Sequence, residues 1–160
     1  MVFQAKNKDN FIIIDGSSYL YRAFFALPNL KTSTGLHSGA IHGFANMLNR
    51  IIGEYDPKYL LMVFDAKGKN FRHSIYDSYK ANRNAMPSEL SEQTKPIIDL
   101  VKAYGLKVIQ ENGVEADDVI ASAVNQIKLD KTQTIISSGD KDLAQLVTKS
   151  VVLMNNFDSK

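Results

Sequence analysis

Residues 11–15, FIIID, place four large apolar side chains directly before an aspartate. Residues 60–65, LLMVFD, repeat this arrangement, and residues 134–142, TIISSGDKD, reach two aspartates after a short polar turn. Apolar runs of this length are typical of strands that are buried on both faces of a parallel sheet. Because such sheets bind ligands beyond the carboxyl ends of their strands, the aspartates are predicted to converge at one edge.

The rest of the chain alternates short apolar runs with amphipathic stretches. This pattern predicts an α/β fold with a mostly parallel sheet and helices on both faces. Strands are predicted at residues 11–14, 59–64, 107–110, 133–137 and 151–154. Helices are predicted at residues 17–27, 39–54 and 88–104 and from residue 116 onward, with a shorter helix after Asp142. Gly105 is the predicted C-cap of the third helix.

Composition limits the class of protein. The chain has 160 residues, no cysteine and a formal net charge of +2. The length predicts one domain, and the lack of cysteine excludes disulfides, zinc–thiolate sites and thiol nucleophiles. No apolar run approaches the ~18 residues of a membrane helix, and the N-terminal sequence MVFQAKNKDN lacks a signal-peptide core. We therefore expect a soluble, cytoplasmic protein with no membrane partner.

Carboxylates cluster after the predicted strands and at one helix start. Like charges at one sheet edge repel one another unless a cation is held between them, and Mg²⁺ or Mn²⁺ is the cation that such oxygen ligands prefer. A divalent pair in this setting suits phosphodiester hydrolysis. The alternative is that these residues are helix caps and turn residues, or complement a helix dipole. The predicted metal ligands are Asp15, Asp65, Glu115, Asp117, Asp118, Asp140 and Asp142.

Residues 67–87, named here the basic segment, are polar and carry interleaved aromatic rings. Their cations could hold phosphates and their rings could stack on unpaired bases, or the segment could be a solvated charged loop. Tyr21 and Arg22 follow Asp15 closely enough to reach the same edge, although Tyr21 could equally pack in the core. The predicted DNA-binding residues are Tyr21, Arg22, Lys67, Lys69, Arg72, Tyr79, Lys80 and Arg83.

Four motifs in this order resemble one known family. They are IIDGSSYLYRAFFAL (13–27), VFDAKGKNFRHSIYDSYKANR (63–83), GVEADDVIA (113–121) and SSGDKDLAQLV (137–147). They resemble the N-terminal 5′ nuclease domain of bacterial DNA polymerase I, within the flap endonuclease family of structure-specific 5′ nucleases. The resemblance extends over residues 11–155.

The resemblance implies a three-layer, twisted-sheet core of the PIN-like type and metal-dependent cleavage of DNA at a 5′ end or 5′ flap, where duplex meets single strand. It implies a two-metal site, with Asp15, Asp65, Glu115 and Asp117 around one cation and Asp140 and Asp142 towards the second, and with Asp118 completing the acidic set. It further implies that Lys80 and Arg83 are catalytic cations of a helical arch at the scissile phosphate, that Tyr21 stacks on the terminal base, and that Arg22 and Tyr79 assist DNA binding.

In that family the nuclease domain continues beyond the position of Lys160. It adds two aspartates near the second metal and a helix–hairpin–helix-like element that grips duplex DNA, and a polymerase domain follows in the same polypeptide. We therefore expect residues 1–160 to form the catalytic core of the domain. By themselves they should bind one divalent cation more readily than two, and should cut flapped DNA poorly or not at all.

Three other functions stay open at this stage. A PIN-type ribonuclease would use a similar acidic site, and a DNA-binding or metal-binding module without catalysis would need only part of it. A phosphatase with an aspartate nucleophile is disfavoured, because Ser17 stands where the second aspartate of its motif belongs. A GxxxxGK[ST] phosphate loop is absent from the sequence, which argues against an NTPase.

Overall fold

The computed structural model describes residues 10–27, 30–76, 78–82, 84–127 and 133–155. Within them five strands form a single parallel sheet. The strands are β1 (Phe11–Asp15), β2 (Tyr59–Val63), β3 (Lys107–Ile109), β4 (Thr134–Ser137) and β5 (Val151–Met154), in the spatial order β3-β2-β1-β4-β5. All five predicted strands are confirmed, with ends that differ from the prediction by at most one residue.

The four main predicted helices are also confirmed. They are α1 (Gly16–Ala26), α2 (Gly39–Tyr55), α4 (Ser88–Ala103) and α5 (Ala116–Gln126). The described residues also form a short helix α3 (Phe71–Ile75) and, around Asp142, a 3-10 helix (Lys141–Leu146). Gly105, just beyond α4, has a φ of 76°, as its predicted capping role requires. The short helix α3 lies in the basic segment and buries no residue. In the part of the chain described here, no helix is long and apolar enough to cross a membrane.

Two hydrophobic clusters cover the two faces of the sheet. Side chains alternate along β1, so Ile12 and Ile14 face one cluster and Ile13 faces the other. Helices α1, α2 and α4 pack on the first face, whereas α5 and the 3-10 helix pack on the second. The predicted three-layer α/β architecture is therefore confirmed.

The order of the strands creates a crevice beside β1. From this central strand the chain moves outward to β2 and β3, then returns to the other side of β1 for β4 and β5. Parallel sheets bind their ligands at such a reversal, outside the carboxyl ends of the strands. Asp15 ends β1, Asp65 follows β2, and Asp140 follows β4, so three predicted site residues share this edge.

The junction between β1 and α1 is tightly packed. A Cβ atom placed on Gly16 would lie 2.6 Å from Cε1 of Phe64, whose ring is 3% exposed. Phe64 in turn precedes Asp65. Glycine at position 16 therefore lets the start of α1 approach the end of β2 closely enough to bring the two aspartates to one site.

A glycine pair tests this packing. Gly16→Ala should destabilise the protein by about 1–3 kcal/mol, because the buried Phe64 ring has to shift. Gly53→Ala is the matched control, since Gly53 lies in α2 and a Cβ there would meet no atom within 4 Å. It should stabilise the protein by about 0.5–1 kcal/mol through helix propensity. Urea unfolding measures both changes, and equal stability of the two variants would contradict the close approach.

Candidate functional site

A cavity of about 550 Å³ opens at the carboxyl ends of β1, β2 and β4. Five of the seven predicted carboxylates line it, namely Asp15, Asp65, Glu115, Asp117 and Asp140. The other lining residues are Ser17, Ser18, Tyr21, Lys80, Ala116, Gly139 and Lys141. The predicted convergence of acidic residues at one sheet edge is thus what the described residues show.

Asp15 is held by two hydrogen bonds. As the N-cap of α1, its Oδ1 accepts from the Ser18 backbone N–H at 2.9 Å, and its Oδ2 accepts from the Ser138 hydroxyl at 2.6 Å. Burial raises the pKa of Asp15; the two hydrogen bonds oppose this rise, and the charges of Asp65 and Asp140 add to it. Asp15 is therefore a helix cap that also lines the cavity, so its capping role does not conflict with its predicted role as a metal ligand.

Asp65 and Asp140 are positioned through main-chain hydrogen bonds. Oδ1 of Asp65 accepts from the Ala116 N–H at 2.8 Å, which links the end of β2 to the start of α5. Oδ1 of Asp140 accepts from the Asp142 N–H at 2.8 Å and caps the 3-10 helix. The Asp142 side chain is not among those that line the cavity. Main-chain N–H groups thus fix where these two carboxylates stand, without removing them from the cavity.

Asp117 shows the electrostatic state of the cavity most clearly. Its pKa is raised from 3.8 to about 6, first by burial and then by the charges of Asp140, Asp15, Asp65 and Glu115. The site therefore carries negative charge that its own residues leave uncompensated at neutral pH. Carboxylate oxygens in excess are the donor set that fits a hard divalent cation.

The carboxylate side chains that the structure describes at the cavity are not in positions from which they could coordinate one metal ion together. Among the described residues, no three acidic or histidine side chains form a group that could hold a metal ion as they stand. Several carboxylate oxygens instead accept hydrogen bonds from main-chain N–H groups and from neighbouring side chains. Binding a cation would therefore require side-chain rotations at the cavity.

Glu115 is engaged by the basic segment. Its Oε1 accepts from Lys80 Nζ at 2.8 Å and from Asn70 Nδ2 at 2.6 Å, and its Oε2 accepts from the Tyr79 hydroxyl at 3.1 Å. Burial alone would raise the pKa of Glu115, but the hydrogen bond and charge of Lys80 lead the groups that hold it below its usual value. Lys80 adopts a φ of 53°, a left-handed conformation that side chains other than glycine seldom take.

Asp118 is paired with Arg72. The two guanidinium nitrogens of Arg72 donate to the two carboxylate oxygens at 2.6 and 2.7 Å, and Asp118 also accepts from the Glu115 N–H at 3.0 Å. The bond to Arg72 is the first cause that holds the pKa of Asp118 below its usual value. Asp118 and Arg72 do not line the cavity. This ion pair ties α3 of the basic segment to the first turn of α5.

The remaining predicted DNA-binding residues are distributed unevenly. Tyr21 lines the cavity and also stacks on Phe25, with ring centroids 6.4 Å apart, so packing and access to the site are compatible. Lys67, Lys69 and Arg22 are exposed and are not among the cavity residues. Arg83, predicted as a catalytic cation, lies outside the described residues.

Sequence reasoning missed the hydroxyl groups that connect the strand ends. Ser17 Oγ accepts from the Asp65 N–H at 2.9 Å, and Ser18 Oγ accepts from the Gly139 N–H at 3.2 Å. Ser138 contacts Asp15 and, through its oxygen, the Asp140 N–H at 2.9 Å. Their positions in the sequence could have identified them, because each of these serines lies within three residues of a predicted metal-binding carboxylate.

Known proteins resemble this chain in sequence and in fold. The chain is 46% identical over 146 residues to DNA polymerase I of Pseudomonas aeruginosa, covering 91% of this chain and 16% of the relative. It is 43% identical over 148 residues to a 5′-3′ exonuclease of Aquifex aeolicus, covering 92% of this chain and 51% of the relative. The chain thus spans about half, or less, of the length of these relatives.

Solved structures share the fold. A zinc-bound T5 5′-exonuclease matches with a TM-score of 0.71 at 21% identity, over 89% of this chain and 53% of that one. The bacteriophage T5 flap endonuclease in a complex with DNA and metal ions matches with a TM-score of 0.70 at 26% identity, over 91% and 54%.

One family model extends over most of the sequence. The model of the 5′-3′ exonuclease N-terminal, resolvase-like domain matches residues 10–160. With the two relatives above, this match confirms the resemblance read from the four motifs. The chain therefore belongs to the family of 5′-3′ exonuclease N-terminal, resolvase-like domains.

Proposed function

We propose that this chain is the catalytic core of a divalent-metal-dependent nuclease that hydrolyses phosphodiester bonds of DNA at a 5′ end or 5′ flap. The observation that carries the proposal is the cavity at the switch point of the sheet, where five carboxylates stand together. Burial, and then the charges of the other four carboxylates, raise the pKa of Asp117 there to about 6. The 5′-3′ exonuclease and DNA polymerase I relatives support it. The DNA polymerase I relative also suggests that a polymerase domain of the same polypeptide is a partner.

The proposed metal ligands are the five carboxylates of the cavity, and Mg²⁺ or Mn²⁺ is the cation that suits them. Divalent cations held there would supply charge stabilisation at the phosphodiester and activation of the attacking water. The T5 flap endonuclease structure, solved with DNA and metal ions, supports a divalent cation as the cofactor. Asp142 is a candidate through its contact with Asp140, and Asp118 would first have to leave Arg72.

Lys80 and Tyr21 are the proposed contacts to DNA. Lys80 Nζ stands at the cavity and could place positive charge beside a phosphate that enters it. The Tyr21 ring lines the same cavity and offers a surface on which an unpaired base can stack. Arg83 is proposed for the same role as Lys80 from its motif alone, and Lys67 and Lys69 as outer phosphate contacts.

A cleavage assay tests the proposed function. The substrate is a 5′-labelled DNA with a 5′ flap, incubated with Mg²⁺, Mn²⁺ or EDTA, beside an RNA-flap analogue. Even slow DNA cleavage that needs the divalent cation, and that Asp117→Asn abolishes, supports the proposal. Faster cleavage of the RNA would favour a ribonuclease. Residues 1–160 alone are expected to cut poorly or not at all, so cation and DNA binding without product would favour a binding module only if a chain extended by the segment that follows in this family also gives no product.

Substitution of two adjacent aspartates should change stability in opposite directions in the metal-free protein. The raised pKa of Asp117 means that the folded state holds its proton more tightly than the unfolded chain, so stability falls as pH rises from about 4 to 6. Asp117→Asn should therefore raise the melting temperature at pH 7.5 and change it little at pH 4.

Asp118→Asn is the matched control. In the wild-type protein the pKa of the Asp118 carboxyl is lowered by folding. The stability that this carboxylate contributes is therefore present above the pKa of the unfolded chain and is lost as the pH falls through the pKa of the folded state. This substitution should lower the melting temperature at pH 7.5. Thermal melts in EDTA at both pH values measure the effects. A lower melting temperature for Asp117→Asn at pH 7.5 would contradict the uncompensated charge.

Lys80→Ala should weaken DNA binding without unfolding the protein. The Lys80–Glu115 ion pair is partly exposed, with 38% of the lysine side chain accessible, and pairs of this kind contribute about 0–1 kcal/mol. Losing one phosphate contact should reduce the log–log salt dependence of flap-DNA binding by about 0.7–0.9.

The control for Lys80→Ala is Lys95→Ala, which breaks the Lys95–Asp99 ion pair on the surface of α4. It should leave the salt dependence unchanged. Fluorescence anisotropy over a range of salt concentrations compares the two variants. An unaltered slope for Lys80→Ala would remove Lys80 from the DNA contacts.

A further inference from the structure

A buried hydroxyl links two of the cavity carboxylates. Ser138 directly follows β4 and is 1% exposed. Its Oγ donates to Oδ2 of Asp15 at 2.6 Å and accepts from the backbone N–H of Asp140 at 2.9 Å. The amide can only donate, so the single hydroxyl proton is directed to the carboxylate.

This arrangement restrains the Asp15 carboxylate in rotation. One oxygen of the carboxylate is fixed by the Ser18 N–H and the other by the Ser138 hydroxyl. Without Ser138, the bond from Ser18 would be the one left among the described residues, and the carboxylate plane could turn about it. The same hydroxyl anchors the backbone of Asp140, which carries the neighbouring carboxylate.

The two bonds also bridge the switch point of the sheet. Asp15 ends β1, whereas Asp140 follows β4, and these adjacent strands separate at the crevice that holds the cavity. In the described residues, the Ser138 hydroxyl donates directly to a carboxylate that is a predicted metal ligand. The hydroxyls of Ser17 and Ser18 instead accept from main-chain N–H groups. The bonding partners of Ser138 are therefore two parts of the proposed cation site.

We propose that Ser138 is a positioning residue that sets the cation affinity of the cavity by orienting Asp15 and the turn at Asp140. This role rests on the proposed metal-dependent function. Groups that hydrogen-bond to metal ligands in this way typically change metal affinity by about 10–100-fold when they are removed. The assignment differs from a purely structural one, because it predicts an effect on cation binding beyond any loss of stability.

Ser137 provides the matched control. It is adjacent, fully buried and also makes a 2.6 Å side-chain hydrogen bond, but its partner is the Tyr19 hydroxyl in the core. Ser137→Ala and Ser138→Ala thus each remove one buried hydroxyl. Only the second removes a bond to a carboxylate of the cavity.

The experiment measures Mn²⁺ affinity by the loss of the free-ion EPR signal, with a thermal melt for each variant. Ser138→Ala should weaken Mn²⁺ binding by about 10–100-fold, whereas Ser137→Ala should bind as the wild type does, even if its melting temperature falls. Ser138→Thr keeps the hydroxyl and should bind within a few-fold of the wild type. If Ser138→Ala does not fold, Ser138→Cys, with a weaker donor of similar size, should still show reduced affinity.

Two results would overturn the role of Ser138. One is wild-type Mn²⁺ affinity in the Ser138→Ala variant, or in Ser138→Cys if the alanine variant does not fold. The other is an equal loss of affinity in Ser137→Ala, which would show that any buried hydroxyl in this strand matters. Absence of Mn²⁺ binding by the wild-type chain is a different outcome, because it would reject the proposed metal site itself together with this role.

Discussion

Repulsion among carboxylates at one edge of a parallel sheet is the constraint on which the rest of this site depends. The fold brings Asp15, Asp65 and Asp140 to that edge because their strands are adjacent and parallel. Burial, together with the charge that they create, raises the pKa of Asp117 at the start of α5. A fold that gathers like charges in this way loses stability, so the rest of the molecule has to hold them there.

Three kinds of interaction oppose the repulsion. The buried faces of β1 and its neighbours provide a rigid base, since both layers of helices pack on it. Main-chain N–H groups and serine hydroxyls then fix single oxygens, as at Asp15. Finally, the basic segment provides cations, with Lys80 on Glu115 and Arg72 on Asp118. Lys80 makes its contact from a strained backbone, which is a feature often found at functional sites.

The sequence predicted the helices and strands and the sheet edge at which the acidic cavity lies, because both follow from local pattern. Apolar runs such as residues 11–14 define the strands, and the direction of parallel strands then places the aspartates that follow them. Local pattern does not predict which side chains contact each other across the fold. Asp117 and Asp118 are adjacent in sequence, yet one faces the cavity and the other meets Arg72, a partner 46 residues away. The role of Ser138 likewise depends on the register of β1 and β4, which periodicity does not fix.

We propose that these carboxylates form a binding site for a divalent cation. Anomalous diffraction from crystals grown with Mn²⁺ tests it most directly, because the ion is located without reference to activity. We expect a manganese peak inside the cavity, within coordination distance of Asp117 and at least one of Asp15, Asp65 and Asp140. Manganese found only at other surface positions, with the cavity empty, would contradict it.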